Sequence, residues 1–457
     1  MSHKVIEQLG QAALYPRSAW TSAASGLYLR ISVTMGVLLG IEKSRGPRMC
    51  RFCDAALGRP FLDLGKQPLA NAYVKPENIS KKEFVCALRA FFCDKCHLVQ
   101  LSDFSDSSEI FNEQYAYFSS FSESWLRHAK NYTDLMVQRF GLNEDSQVVE
   151  IASNDGYLLQ YFKEKGVPVL GIEPSANCAE VAVHKGIPTE IKFFNTKTAQ
   201  ELKKQNKLAD LLLGNNVLAH VPDPNDFVEG LKIALKPQGV ITMEFPHLLR
   251  LLQEGQFDTM YHEHFSYLSF SIVEKLFAKH GLVLFDVEEL PTHGGSLRIY
   301  ARHQENAGLP VSERVGKLKQ REMDHGLDAH KTYLHFGEKV EAEKKALLRF
   351  LKESRMAGKS VVGYGAPAKG NTLLNYCGVT TDLIEYTVDA SPHKQGHFLP
   401  GSHIPIYAPD KIMETKPDYV LILPWNIKDE IMKQMAGIQA WGGRFVTAIP
   451  RLEVHGP

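Results

Sequence analysis

The segment Val148–Ser175 constrains this chain more than any other. Val148-Val149-Glu150-Ile151 is an apolar run of strand length, Ala152-Ser153-Asn154-Asp155-Gly156 reads as a turn into a helix, and Val169-Leu170-Gly171-Ile172-Glu173 is a second strand ending on an acid. This is the layout of a nucleotide-binding half-sheet, in which the turn lets a ligand approach the backbone and the terminal acid accepts hydrogen bonds from ribose hydroxyls. A dinucleotide turn needs the three glycines of G-x-G-x-x-G, and here only Gly156 is present. Acids on both strands, Glu150 and Glu173, suit S-adenosylmethionine (SAM) better than NAD. An ordinary strand and helix with a polar turn would look the same.

At 457 residues the chain exceeds one core, and about three domains are expected. Its 52 basic and 52 acidic residues cancel, so charge gives no reason to expect nucleic acid or an anionic membrane as partner. No uninterrupted apolar run approaches the roughly 18 residues of a membrane span. Seven cysteines are too few for a disulfide scaffold, and four fall in two C-x-x-C pairs, which points to a reducing compartment and a cytoplasmic protein.

Residues 1–48 fit poorly with the rest of the chain. Leu27 to Ile41 is apolar but broken by Arg30, Gly36 and Gly40, as in a degenerate signal peptide, a transit sequence or translation from an upstream start. We read this stretch as a poorly ordered extension with no chemical role. Residues 49–112 form a small domain with short apolar runs and both cysteine pairs. From 113 to 305 strands alternate with helices: Leu208–Leu213, then a helix Asp226–Leu235, then Val240–Phe245, which favours a parallel sheet. A helix Ser271–His280 leads into strands Val283–Glu289 and Ser296–Ala301, joined through Pro291-Thr292-His293-Gly294-Gly295. Residues 306–358 read as a helix or helical pair, and 359–457 open a second β-turn-α unit with strands at Leu383–Val388 and Tyr419–Leu423.

Cys50, Cys53, Cys93 and Cys96 offer four thiolates, a closed tetrahedral shell for structural zinc, with buried or redox-active cysteines as the alternative. Tyr261-His262-Glu263-His264 is the densest acid–base cluster, and it follows a strand whose carboxyl end faces the ligand crevice. There an imidazole can take a proton, a carboxylate can hold the ring in one tautomer, and a phenol can donate to an oxyanion. A solvated polar turn is the bland alternative. His220 follows Asn215-Asn216-Val217-Leu218-Ala219, and Tyr115 and Tyr117 are aromatic residues that can close over a ligand or pack in a core. Gly363-Tyr364-Gly365-Ala366-Pro367-Ala368-Lys369-Gly370-Asn371 suits a pyrophosphate and is the best NAD candidate, with Asp389 as its ribose acid and Lys394 as a second phosphate contact.

In this order the C-x-x-C pairs, Glu150–Tyr157, Asn215–His220, Tyr261–His264 and Gly363–Gly370 resemble the SAM-dependent sugar C-methyltransferases, which methylate carbon 3 of nucleotide-linked 4-keto deoxysugars. The resemblance covers Met49 to the end. It implies an α/β chain with a small zinc-binding amino-terminal domain, a central class I SAM methyltransferase Rossmann-like domain and a carboxy-terminal Rossmann-like domain for the nucleotide sugar. It implies His264 as the base, with Tyr261, Glu263, His220 and Tyr115 lining the same site. Glu150, Asn154, Asp155, Gly156, Glu173 and Asn216 would hold SAM, and Lys369, Asn371 and Lys394 the sugar nucleotide. Rival readings are an NAD-dependent sugar dehydrogenase or epimerase, a SAM-dependent sugar O-methyltransferase, and an inactive zinc-bearing scaffold. The sequence leaves the sugar, the nucleotide, the stereochemistry and the oligomeric state open.

Overall fold

The structure, a computed structural model, describes residues 48–101 and 118–456. The expectations for residues 1–47, Tyr115 and Tyr117 fall outside the described residues.

Among the described residues, seventeen strands form three sheets. The amino-terminal sheet is built from β1 (Leu62–Pro68), β2 (Val85–Phe92) and β3 (Val99–Leu101). The central sheet holds β4 (Val148–Ile151), β5 (Val169–Ile172), β6 (Thr189–Glu190), β7 (Ala209–Asn215) and β8 (Leu235–Pro246). After it come β9 (Ser266–Tyr267), then β10 (Leu282–Leu290) and β11 (Ser296–His303). The carboxy-terminal sheet holds β12 (Val361–Tyr364), β13 (Thr387–Val388), β14 (Ile406–Tyr407), β15 (Tyr419–Ile422), β16 (Arg444–Thr447) and β17 (Glu453–His455).

The seven-stranded central sheet runs β10-β11-β8-β7-β4-β5-β6. Strands β4 to β8 pair in parallel, and β10–β11 forms the antiparallel edge that a methyltransferase sheet requires. The core strands β4 and β7 are mostly apolar and buried, as parallel strands covered on both faces must be, with Glu150 the buried exception in β4. Some helices start where a side chain satisfies their free N–H groups: Asp223 caps Pro224–Ala234 by accepting from Asn225 and Asp226, with Pro224 in the first turn. Glu322 does the same from a distance, accepting from the backbone N–H of Phe270 at 2.6 Å and Ser271 at 2.9 Å.

The connector is a helical pair, Glu313–Asp324 and His330–Met356, with Gly326 at φ +76 in the break. The strand expected over Leu383–Val388 is shorter. Backbone bonds from Leu383 and Ile384 to the Thr380 carbonyl close a turn there, so only Thr387 and Val388 enter the sheet.

Two of the four apolar clusters among the described residues cross domain boundaries, while the other two lie within the central and the carboxy-terminal domain. Leu62, Leu88 and Val99 of the amino-terminal sheet share one apolar cluster with Tyr333 and Phe336 of the long helix and Leu374, Leu421 and Val446 of the carboxy-terminal domain. Cys50, Cys93 and Cys96 pack into a second cluster with Val149, Leu212 and Ile241 of the central sheet. Strand β9 leaves the methyltransferase region to pair antiparallel with β3 (Val99 with Tyr267, Gln100 with Ser266), becoming the fourth strand of the amino-terminal sheet. Among the described residues no helix is long and apolar enough to cross a membrane.

Candidate active site

The four cysteines meet. Sγ–Sγ separations are 3.5 Å for Cys50–Cys96 and 3.6 Å for Cys53–Cys93, and all four sulfurs lie within 4.8 Å of one another. A zinc ion with bonds of about 2.3 Å needs tetrahedron edges of about 3.8 Å, so the shell fits, with no position left for substrate. Each pair sits on a tight turn closed by a backbone bond, Asp54 to the Cys50 carbonyl and His97 to the Cys93 carbonyl. Asp54 and His97 follow the pairs in left-handed conformation. His97 stacks on Phe92 and Cys86 pairs with His262, so neither serves as a fifth ligand.

The turn expected to take the cofactor is held by its own hydrogen bonds. Glu173 accepts from the N–H groups of Asn154 at 2.9 Å and Ser175 at 2.8 Å, which leaves each carboxylate oxygen a further lone pair. Burial raises Glu173 above the usual carboxyl range, and raises Glu150 further because Glu173 adds like charge. Asn154 accepts from Ser119 N–H at 2.9 Å, and Asp155 from Ser120 N–H at 3.4 Å and Lys185 Nζ at 3.3 Å. Gly156 has φ +74, and a Cβ there would stand 3.1 Å from Ile187 and 3.3 Å from Ala182, so this glycine lets the turn pack against the end of the helix Ala176–His184.

The segment after β8 carries the acid–base groups. His264 Nδ1 donates to the Thr259 carbonyl at 2.8 Å, which fixes the tautomer with the lone pair on Nε2. Its ring lies 4.0 Å from that of Tyr261 and 4.6 Å from that of His220. Burial first, then His220, holds His264 well below the ordinary imidazole range, and burial holds His220 down at about 4. Glu263 does not orient the ring, contrary to the expectation of a carboxylate partner. Both its oxygens accept from Asn71 Nδ2, at 2.8 and 2.9 Å, and burial pushes it up to about 7. The backbone carbonyl is the better orienter here, because it holds the ring without adding charge to a buried site.

His262 turns the other way, onto Cys86 Sγ at 2.9 Å, and is 2% exposed. Burial lowers it from 6.5 to about 4. The unfolded ring gains a proton as pH falls through about 6.5 while the folded ring resists until about 4, so native stability drops across that window. Comparing urea unfolding at neutral and acid pH, a His262→Gln variant should lose about 2–3 kcal/mol less stability than the parent.

The carboxy-terminal turn divides its candidates. Lys369 Nζ donates to Asn426 Oδ1 at 2.8 Å and lies 4.4 Å over the Trp425 ring; burial lowers it to about 8, and its charge reaches His264. Asn371 is buried and donates to the Ala70 carbonyl at 2.6 Å, supporting the loop that carries Asn71. Lys394 donates to the Ala366 carbonyl at 3.0 Å and pairs with Asp389 at 3.3 Å. Asp389 itself accepts the Ala366 N–H at 2.7 Å, so it is spent on the glycine-rich turn that a dinucleotide would have to enter.

A family model for a candidate zinc binding domain matches residues 50–111, one for a methyltransferase domain matches 125–287, and one for a C-methyltransferase C-terminal domain matches 291–450. C-methyltransferase NovU of Streptomyces niveus is 35% identical over 408 residues, 89% of this chain and 96% of the relative. The chain belongs to the C-methyltransferase family. A ubiquinone biosynthesis O-methyltransferase of Chelativorans sp. is 28% identical over 99 residues, 21% of this chain and 39% of that relative. The magnesium protoporphyrin IX methyltransferase structure from Synechocystis PCC 6803 with bound SAH aligns with a TM-score of 0.31 at 14% identity, over 38% of this chain and 82% of that one.

This C-methyltransferase is SAM-dependent and carries a structural zinc site. Its site includes groups that sequence reasoning misses. His293, in the β10–β11 turn at φ +53, meets Asn216 Nδ2 through Nε2 at 3.1 Å and Trp125 at a ring separation of 5.1 Å. Thr292 beside it donates to Glu244 at 2.8 Å. The His-Gly-Gly turn is a visible signal in the sequence, but there it reads only as a hairpin. Asn71, Thr259 and Trp425 give none, because their roles depend on contacts with distant segments or on a backbone carbonyl.

Proposed function

We propose that this C-methyltransferase methylates carbon 3 of a nucleotide-linked 4-keto deoxysugar, with His264 as the base that generates the enolate. The observation that carries the proposal is His264 itself: Nδ1 is tied to a carbonyl, and Nε2 has no hydrogen-bond partner among the described residues. A 4-ketone acidifies the neighbouring C–H, and Nε2 accepts that proton. Tyr261, against the His264 ring, is the candidate donor to the developing enolate oxygen, while His220, whose ring N–H goes to the Glu263 carbonyl, packs against the same ring. Lys369 adds positive potential that favours an anion over the neutral ketone. SAM, when bound, supplies the electrophilic methyl group. The Glu150–Gly156 turn, Glu173 and Asn216 would hold it, with Glu173 at the ribose.

Lys369 and Lys394 would bind the diphosphate, while Asn371 supports the site through Ala70. The occupied Asp389 counts against an NAD-dependent dehydrogenase or epimerase, and the C-methyltransferase relative counts against transfer to oxygen. A thiolate zinc shell suits a reducing compartment, and a cytoplasmic location belongs to the proposal.

The test incubates the purified protein with methyl-labelled SAM and a panel of nucleoside-diphosphate 4-keto deoxysugars, then locates the label by NMR. Label on carbon 3 is expected. Label on a hydroxyl oxygen would replace the proposal with O-methylation, and hydride exchange with NAD would replace it with the dehydrogenase reading.

A further inference from the structure

The turn that carries the His264 orienter is held from another domain. Asp258, in the turn Phe257–Thr259, is 0% exposed and accepts from Trp425 Nε1 at 2.7 Å. Thr372, on the helix Ala368–Cys377, donates to the Met260 carbonyl at 3.1 Å. Thr259 therefore sits between two residues gripped by the carboxy-terminal domain, and its carbonyl fixes His264. The same indole meets the other two parts of the site. Lys369 lies over its face, and a Cβ at Gly294 would stand 2.4 Å from its ring edge, so the turn beside His293 rests directly on it.

We propose that Trp425 is a positioning residue: it sets the Phe257–Met260 turn through Asp258, and through the Thr259 carbonyl the orientation of His264, while seating Lys369 and the His293 turn. The carboxy-terminal domain thereby completes the reacting centre as well as binding substrate. A buried carboxylate that loses its indole donor keeps the desolvation penalty without the bond, so the turn must rearrange. Displacing a reacting group by about 1 Å costs about 100-fold in rate.

The proposal rests on His264 as base, and the test separates the two. Hydrogen exchange of the Phe257–His264 amides, which needs no substrate, is compared in the parent, Trp425→Phe, Asp258→Ala and Asp258→Asn. Exchange should accelerate about 10-fold or more in Trp425→Phe and Asp258→Ala, with residues 148–173 unchanged; in Asp258→Asn, which keeps an acceptor for the indole, it should stay within about threefold of the parent. With the acceptor that takes the methyl label, kcat should fall about 100-fold in the first two variants with the SAM Kd unchanged, and recover in Asp258→Asn. If Trp425→Phe fails to fold, the Asp258 pair decides.

Parental exchange and kcat in Trp425→Phe, a loss confined to SAM affinity, or an Asp258→Asn variant as impaired as Asp258→Ala would overturn the role of Trp425. Full turnover by His264→Gln would overturn the base instead, whatever Trp425 does.

Discussion

Exchange of His264 for glutamine is expected to slow methyl transfer by about 10³-fold, the range that a positioned general base contributes. Glutamine places a neutral amide near the Nε2 position, so the basic lone pair is lost, together with the 2.8 Å bond that Nδ1 gives the Thr259 carbonyl. SAM affinity should not change, because Glu173 and the Asn154 turn make their hydrogen bonds elsewhere. The measurement is single-turnover transfer from labelled SAM, alongside deuterium uptake at the sugar carbon in D2O. Both should fall together; transfer at the parental rate would remove His264 from the reaction. Burial and the neighbouring His220 hold the His264 ring below 6.5, so it is neutral and able to accept a proton at pH 7. The acidic limb of kcat/KM should accordingly lie below pH 6.5.

Loss of zinc should have effects well beyond the amino-terminal domain. Structural zinc supplies about 10–16 kcal/mol of apparent folding energy in small zinc domains, and a Cys50→Ser change or chelation forfeits much of it. Here the cysteines are packed into the core of the central sheet, and the strands they support share a core with the carboxy-terminal domain. The expected result is a lower, broadened thermal transition and loss of activity in proportion to zinc lost, measured by metal analysis on the same samples. Loss of SAM binding should lag behind, since Glu173 and the Asn154 turn make their hydrogen bonds within the central domain. Full activity in zinc-free protein would contradict the coupling.

What can be read from the sequence is chemistry carried by near neighbours. The C-x-x-C pairs, the acid-tipped strands and the Tyr261–His264 cluster each declare themselves within a few residues. Sequence reading fails where a partner lies far along the chain or is a backbone atom. Asn71 reaches Glu263 across 192 positions, and Trp425 reaches Asp258 across 167. Glu263 shows the cost of adjacency: standing next to His264 it looks like the ring's orienter, yet consecutive side chains in a loop diverge, and it is committed to another domain. The Leu383–Val388 strand is over-read for a related reason, since apolar residues that plug a core from a turn look like strand residues until pairing is known.

Strand β9 has a consequence for protein engineering. Because Ser266 and Tyr267 complete a sheet whose other strands come from the first hundred or so residues, the amino-terminal module is not contiguous in the gene. A chimera that swaps only the leading segment between relatives would join β3 from one parent to β9 from another, two positions beyond the proposed base. Recombination within this family should tolerate crossovers only where both halves of that pairing come from the same ancestor.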